Sequence, residues 1–141
     1  MDKLTNIEIG TFLKLFNRGG YVLDFTTNDF DVFTMESIGI ALCNEYHMSK
    51  GKSLAAYVNS ASTSDIEKLL NDLLSYYEEN YEQEYTENLT DDEYSYCQYN
   101  AEYARLYKKC RAYMNRVLNN TTPLAGKATG ISEKVLNKNF F

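Results

Sequence analysis

Residues 91–118 read DDEYSYCQYNAEYARLYKKCRAYMNRVL, and neither glycine nor proline interrupts them. Apolar and aromatic side chains recur there in steps that alternate between three and four residues: Tyr96, Tyr99, Tyr103, Leu106, Cys110, Tyr113 and Val117. This spacing places all seven on one stripe of an α-helix, as in a heptad repeat. The segment therefore predicts one long helix with a buried seam, starting behind the capping pattern Thr90-Asp91-Asp92-Glu93.

The segment before it has the same character. Ser64-Asp65-Ile66-Glu67 matches the capping box that starts many helices. Four apolar side chains at helical spacing follow: Ile66, Leu70, Leu73 and Tyr77. Two long helices, over about 64–85 and 91–118 and joined by a few polar residues, predict an antiparallel helical hairpin.

The N-terminal half predicts shorter helices. Thr5-Asn6-Ile7-Glu8 is another capping box, and Arg18-Gly19-Gly20 should end the helix that it starts. We expect two further helices, one capped by Thr27 and one capped by Ser49. Gly39 weakens the first of these and divides it into two pieces.

Together these elements predict an all-α fold. An N-terminal cluster of short helices (1–60) should pack on the long antiparallel hairpin (62–118), so that 1–118 form a single domain. Residues 119–141 read as a linker-like tail, which would lead to an effector domain absent from this sequence. Only residues 21–25 leave two interpretations open, a buried connector or a short strand.

The composition disfavours several classes of partner. The 141 residues carry a net charge of -6, and nucleic acid is a poor partner for an acidic chain because phosphate binding relies on lysine and arginine. No apolar run approaches the roughly 20 residues that span a bilayer, and the N-terminus lacks the layout of a signal peptide. We therefore expect a cytoplasmic protein with reduced cysteines and no membrane partner.

The sequence offers little for catalysis, metals or cofactors. Its single histidine, His47, excludes a two-histidine metal site. Gly51-Lys52-Ser53 would end a phosphate-binding loop only with a glycine five residues earlier, where Tyr46 stands. Cys97 and Cys110 fall at apolar helix positions and read as buried. We expect no catalytic residue, no metal and no cofactor, while an enzyme assembled from scattered residues stays an open alternative.

Charge is concentrated at the predicted hairpin tip. Residues 61–95 hold eleven acids and one lysine, whereas residues 96–118 hold five bases and one acid. No base lies in the run Glu78–Glu87 to offset glutamates at a helix end, where the helix dipole disfavours them. We interpret the tip as a solvated face or as a docking surface for a basic partner. The tyrosine stripe also suits a helix–helix interface, within the chain or between two copies in a homodimer.

Three strings carry a resemblance to a known family. They are FLKLFNRGGYVLDF at 12–25, FDVF at 30–33 with Gly39-Ile40 behind it, and SKGKSL at 49–54. Over about residues 5–58 they resemble the N-terminal helical module of bacterial abortive-infection proteins. The resemblance implies a sensor or adaptor module in defence against phage, whose protein partner is an effector domain or a phage component. It implies no catalytic residue.

The candidate partner-binding residues lie in the same strings: Arg18, Tyr21, Asp24, Lys50 and Lys52. Helix periodicity does not explain polar side chains there, although Asp24 has the alternative role of a cap or turn residue. We hypothesise that the chain is a non-catalytic interaction module of an abortive-infection system. The alternative, suggested by the acidic block Glu78–Glu93, is a small phage or mobile-element protein that blocks a nucleic-acid-binding enzyme by phosphate mimicry.

Overall fold

The computed structural model describes residues 3–86 and 94–121, with side-chain detail for 3–85 and 101–119. Helices dominate this part of the chain, and the all-α prediction is confirmed. The elements follow one another as α1 (Asn6–Phe16), β1 (Asn17–Arg18), β2 (Tyr21–Val22), α2 (Thr27–Ile38), α3 (Leu42–Tyr46), α4 (Lys50–Ser60), α5 (Thr63–Asn80), α6 (Glu82–Thr86) and α7 (Tyr94–Thr121). No helix of the described ranges combines the length and the apolar character that crossing a membrane requires.

The helix starts follow the capping chemistry of the sequence with two small shifts. The box at Thr5 is confirmed, because its hydroxyl accepts from the Glu8 N–H while the Glu8 carboxylate accepts from the Thr5 N–H. Ser49 caps α4 as predicted. The prediction of Thr27 as the cap of α2 is wrong by one residue, because the Thr26 hydroxyl accepts from the N–H of Asp29.

The start of α5 also lies before its predicted position. Ser62 is the cap, and its hydroxyl accepts from the Asp65 N–H. The predicted box at Ser64 does not form, because the Glu67 carboxylate instead accepts from the N–H of Leu4, 3.2 Å away. A tertiary contact to the N-terminal segment therefore replaces a local one.

The predicted continuous helix over 64–85 is wrong at Tyr81. There the backbone leaves the helical region, and α6 starts at the next residue. The break ends α5 just after two glutamates, where the helix dipole disfavours further negative charge. It also turns α6 toward β1. The predicted cap at Thr90 and the tail over 122–141 lie outside the described residues, and α7 continues to Thr121 rather than ending at 118.

The core lies where α1, α2 and α4 meet α5 and α7. Helix α5 contributes a continuous buried stripe: Ile66, Leu69, Leu70, Leu73, Leu74 and Tyr77. Among the side chains of α7 that the structure describes, the fully buried ones are Cys110, Met114 and Val117, whereas Tyr103, Leu106 and Tyr113 of the predicted seam are only partly buried. The seam residues Tyr96 and Tyr99, and Cys97, lie outside the described side chains. Helix α7 contacts α1, α5 and α6, and this wider contact extends the buried stripe beyond one heptad seam to Met114.

Side chains of α2 cap the short helix α3. Gly39 ends α2 in the left-handed conformation, which confirms the predicted division of this region into two helices. The N–H groups in the first turn of α3 have no local cap, because Ala41, the residue before the helix, has no side-chain acceptor. Asp31 instead accepts from the N–H of Cys43 at 2.7 Å and from that of Asn44 at 3.2 Å. The chain therefore folds back by a cap supplied across the turn.

We expect Asp31→Ala to lower the free energy of unfolding by about 1–2 kcal/mol, because two N–H groups at a helix start lose their acceptor. Asp29→Ala is the matched control, since this exposed residue also lies on α2 but its carboxylate caps no described helix. Urea unfolding followed by circular dichroism measures both variants. Equal losses for the two variants would contradict a capping role of Asp31.

A bidentate ion pair between Arg116 and Glu8 joins α7 to α1. The Arg116 guanidinium lies 2.7 Å from each Glu8 carboxylate oxygen and also donates to the carbonyl of Lys3. The hydrogen bonds from Arg116, helped by those from Thr5 and opposed by burial, lower the pKa of Glu8 from 4.5 to about 2. The contact joins residues more than 100 positions apart in sequence.

This pair should make stability depend on pH in the acidic range. Because the folded-state pKa of Glu8 lies below its unfolded value, its contribution is complete above about pH 4.5 and disappears as the pH falls toward 2. At pH 7 we expect the free energy of unfolding of wild type to exceed that of Glu8→Gln by about 1–2 kcal/mol, after allowance for solvent screening. Unfolding curves between pH 2 and 7 test this, and a constant difference across that range would contradict it.

Candidate functional site

The glycine turn forms a minimal β-hairpin between α1 and α2. Asn17 pairs with Val22 and Arg18 pairs with Tyr21 in antiparallel register. The two residues between them, Gly19 and Gly20, have φ angles of 66° and 94°. Two successive positive φ angles favour glycine, as in the two-residue turns that join strands tightly. The segment left open by the sequence is thus a short strand, Tyr21–Val22, followed by a turn in which Leu23 and Phe25 are buried and Asp24 is exposed.

This hairpin lies directly on the start of α4. The Gly51 N–H donates to the carbonyl of Gly20 at 2.9 Å, and the Asn17 side-chain amide donates to the carbonyl of Gly51 at 3.3 Å. A methyl group on Gly51 would stand 3.3 Å from the Gly20 backbone. The glycine of the Gly-Lys-Ser string therefore permits close backbone approach. Two segments that are about 30 residues apart in sequence thus meet in space.

Two of the five candidate residues face outward at this junction. Tyr21 is 61% exposed, and Lys52 is exposed on the first turn of α4. Lys50 is different, because only 7% of its surface is accessible and its ammonium lies 4.7 Å from the centre of the Tyr21 ring. We call Tyr21, Lys50 and Lys52 the turn surface. The Tyr21 ring and the Lys50 ammonium lie together there although they come from separate segments, and the exposed Lys52 follows two residues later on α4.

Arg18 points the other way, into a cage of aromatic and acidic groups. Its side chain is 16% exposed and makes two hydrogen bonds with the Glu84 carboxylate, at 2.9 and 3.1 Å. The guanidinium lies 3.7 Å from the centre of the Tyr103 ring and 5.4 Å from that of Tyr81. It also donates to the carbonyl of Leu15. The contacts of Arg18 described here are therefore with residues of the same chain.

Asp24 also has an intramolecular partner. It lies in the turn after β2 and accepts a hydrogen bond from the Tyr76 hydroxyl at 2.7 Å. Burial raises the pKa of Tyr76, and the hydrogen bond to Asp24 raises it further. The Tyr76 ring stacks on Phe25, with centroids 4.4 Å apart. Asp24 thus fixes a stacked tyrosine, which fits the turn role left open by the sequence.

Two glutamates of the predicted acidic tip, Glu78 and Glu84, pair with bases of the same chain, whereas 87 and 91–93 lie outside the described residues. The run from Glu78 to Glu87 contains no base, and the fold supplies both from other elements. Glu78 pairs with Arg111 of α7 at 2.8 Å, and Glu84 pairs with Arg18 of β1. Both bases lie more than 30 positions away in sequence. A run of acidic residues in the sequence therefore does not show whether each charge is paired, because the fold brings the paired arginines from other elements.

Tyrosines lie beside these ion pairs and donate hydrogen bonds to their carboxylates. The Tyr77 hydroxyl donates to Glu84 at 2.6 Å, and that of Tyr107 donates to Glu78. The rings of Tyr77, Tyr85 and Tyr107 lie against one another, with centroids 4.3–5.6 Å apart. Burial raises the pKa of Tyr77 and Tyr107, and their glutamate partners raise both values further. The phenols act as donors inside the fold.

The described residues contain no group of three or more histidine, cysteine, aspartate or glutamate side chains placed to hold a metal ion. Burial raises the pKa of both thiols that the structure describes, and that of Cys110 reaches about 12. Such thiols are poor nucleophiles at neutral pH. His47 ends α3 in the left-handed conformation and is exposed. The turn surface is consequently the arrangement with the clearest potential for binding.

Sequence analysis missed two residues of this region. Asn17 joins the hairpin to α4, and the Thr27 hydroxyl lies 3.4 Å from the Lys50 ammonium. No local signal marks either contact, because each spans more than 20 positions. Comparison of the chain with models of known protein families, with curated proteins and with solved structures finds no match.

Proposed function

We propose that this chain is a non-catalytic interaction module that binds a protein partner through the turn surface. The observation that supports this most directly is the junction of the glycine turn with α4, where Gly51 donates to Gly20 at 2.9 Å. It holds the exposed Tyr21 ring against the Lys50 ammonium, and the exposed Lys52 follows two residues later on α4. Tyrosine is enriched at protein interfaces because its ring is apolar and its hydroxyl is polar.

The setting of this proposal comes from the resemblance to abortive-infection proteins. We propose that the module acts in the cytoplasm of a bacterium in defence against phage. Its partner is an effector domain or a phage component. The strings that carry the resemblance, at 12–25 and 49–54, are the ones that build the turn surface. Because this surface combines two segments, it exists only when both are folded. A partner that binds it would therefore recognise the folded module.

The phosphate-mimic alternative receives less support. A mimic needs rows of outward carboxylates, but Glu78 and Glu84 face arginines of the same chain. A homodimer through the tyrosine stripe also receives less support, because Tyr103 of the stripe lies against the Arg18 guanidinium and Tyr77 of the facing helix donates to Glu84 within the chain. The turn surface is therefore the better candidate for contact with a partner.

Affinity capture with variants of the turn surface tests the proposal. The tagged chain is used to capture proteins from a bacterial host with and without phage infection, and bound proteins are identified by mass spectrometry. We expect Tyr21→Ser combined with Lys52→Glu to abolish capture of the partner. Lys109→Glu is the matched control, because it also reverses an exposed lysine but lies on α7.

Light scattering of the same samples gives the oligomeric state. Partner capture that survives the double variant would contradict the assignment of the turn surface. Capture of a nucleic-acid-binding enzyme, lost when Glu79 and Glu82 are changed to lysine, would instead favour the mimic.

A further inference from the structure

A cavity of about 370 Å³ lies between α1 and α7, beside the glycine turn. Its described lining consists of Lys14 of α1, Asn17 of β1, and Glu102, Tyr103 and Leu106 of α7. The volume is within the range of about 300–1,000 Å³ that small-molecule sites occupy. The lining combines apolar and aromatic surface with a few polar groups, as such sites do. We call it the α1–α7 cavity.

The Asn17 side chain brings an unused hydrogen-bond acceptor to this cavity. Its Nδ2 donates to the carbonyl of Gly51 at 3.3 Å, and this bond fixes the orientation of the amide, because the reversed amide would set two oxygens against each other. The Oδ1 atom is buried and accepts no hydrogen bond from the described residues. Buried amide oxygens in folded proteins nearly always have a partner. A ligand with an N–H donor would supply the one that the described chain does not.

Two opposite charges line the same cavity. Lys14 and Glu102 are both exposed, and neither forms an ion pair in the part of the chain that the structure describes, where the salt bridges join other residues. Exposed side chains change rotamer rapidly, so movement of these two opens a route to the buried Oδ1. A ligand with a single charge would leave one of them uncompensated, whereas a zwitterion compensates both.

The rest of the described lining is apolar. Leu106 and Tyr103 are partly buried against the core. The Arg18 guanidinium lies 3.7 Å from the centre of the Tyr103 ring and holds this ring in place. An apolar group of a ligand that packs against these two side chains leaves water, which favours binding.

We infer that the α1–α7 cavity binds a free α-amino acid with an apolar side chain. The ammonium of the amino acid donates to Asn17 Oδ1 and pairs with Glu102, while its carboxylate pairs with Lys14. Its side chain packs against Leu106 and Tyr103. The inference goes beyond the proposed function, because the described lining contains no residue of the turn surface.

Titration of the 15N-labelled chain with L-leucine at about pH 6.5, where the ammonium is charged, tests the site by NMR. We expect saturable shifts of the Asn17 side-chain NH2 signals and of the Leu106 amide signal. Absence of saturable shifts with leucine would overturn the inference. So would saturable shifts elsewhere that leave both of these signals unchanged.

Three analogues of leucine separate the contributions of its groups. 4-Methylpentanoate, which lacks the ammonium, should bind about tenfold more weakly, because the buried Oδ1 then stays without a donor. Glycine, which lacks the side chain, should also bind about tenfold more weakly. Leucinamide, which lacks the carboxylate, should bind about fivefold more weakly, because its lost partner is an exposed lysine. Equal affinities for leucine and 4-methylpentanoate would overturn the assignment of an amino acid.

Variants at the two charges locate the ligand. Lys14→Met and Glu102→Gln should each raise the dissociation constant of leucine about fivefold. Lys109→Met and Glu79→Gln are the matched controls, because they change exposed charges outside the described lining and should leave it unchanged. All four should keep Tm within about 3 °C of wild type, which checks folding. Wild-type affinity in both Lys14→Met and Glu102→Gln would overturn the site.

The variant of the turn surface separates this inference from the proposed function. Tyr21→Ser combined with Lys52→Glu should bind leucine with wild-type affinity, although we expect it to lose the protein partner. Loss of leucine binding in this double variant would place the ligand on the turn surface and overturn the assignment of the α1–α7 cavity. Leucine binding without any partner capture would retain the cavity site and contradict the proposed function.

Discussion

Arg18→Met is expected to lower the free energy of unfolding by about 3 kcal/mol, which corresponds to a fall in Tm of about 10 °C. Methionine retains much of the apolar stem but removes every donor of the guanidinium. The Glu84 carboxylate, 12% exposed, then loses both hydrogen bonds from the arginine and keeps, among the contacts of the described residues, the one from Tyr77. Leaving one member of a buried pair unpartnered is more costly than the net contribution of the intact pair.

The aromatic contacts add to this loss. The guanidinium covers the Tyr103 ring at 3.7 Å, and a neutral side chain cannot reproduce that attraction. Arg18 also ties β1 to the carbonyl of Leu15 near the end of α1. One side chain therefore connects α1, α6 and α7, and its removal should loosen α6 in particular.

A double-mutant cycle isolates the interaction of the pair. We expect Glu84→Gln alone to be less destabilising than Arg18→Met, and the combined variant to lose less than the sum of the two, because each loss includes the same ion pair. Arg105→Met is the matched control on an exposed position of α7 and should change stability by less than about 0.5 kcal/mol. Additive losses in the cycle would show that Arg18 and Glu84 act independently.

The features that follow from neighbouring residues could be predicted from the sequence. The capping box at Thr5 needs only a hydroxyl and a glutamate three residues later, and it forms as expected. The division at Gly39 follows from a glycine that enters the left-handed region. The all-α class rests on many such local signals that agree with one another.

Features that depend on distant contacts could not be predicted. Glu67 had the correct spacing for a cap, but an N–H of the N-terminal segment competes for its carboxylate. Arg18 was predicted as a partner-binding residue, because its intramolecular partner Glu84 lies 66 positions away and no local signal marks the pair. The same limit applies to the buried stripe of α7, where Met114 is fully buried because α7 has several neighbours.

The candidate site shows the same division. The sequence marked the glycine turn and the Gly-Lys-Ser string as unusual, and the structure brings them together through Gly20 and Gly51. It could not indicate that Lys50 is buried while Lys52 is exposed, because both stand in the first turn of α4. Their difference arises from the hairpin, whose Tyr21 ring lies over only one of them.

Gly51→Val is expected to lower the free energy of unfolding by about 3 kcal/mol and to displace the turn surface. A β-carbon on Gly51 already meets three backbone atoms of Gly20 at 3.3 Å, and valine adds two methyl groups beyond it. Backbone atoms cannot rotate away as a side-chain end would, so the hairpin and α4 must separate. Separation also lengthens the hydrogen bonds that Gly51 makes with Gly20 and Asn17.

Gly10→Ala supplies a control of opposite sign. Gly10 lies within α1, and a β-carbon there meets nothing within 4 Å. Alanine should therefore raise stability by about 0.5–1 kcal/mol through its greater helix propensity. Urea unfolding measures both variants, and amide NMR shifts at Tyr21 and Lys52 report the displacement of the turn surface. Wild-type stability and unchanged shifts in Gly51→Val would mean that the turn and α4 do not lie in contact. The proposed interaction surface would then lose its structural basis, because Tyr21 would no longer be held against the start of α4.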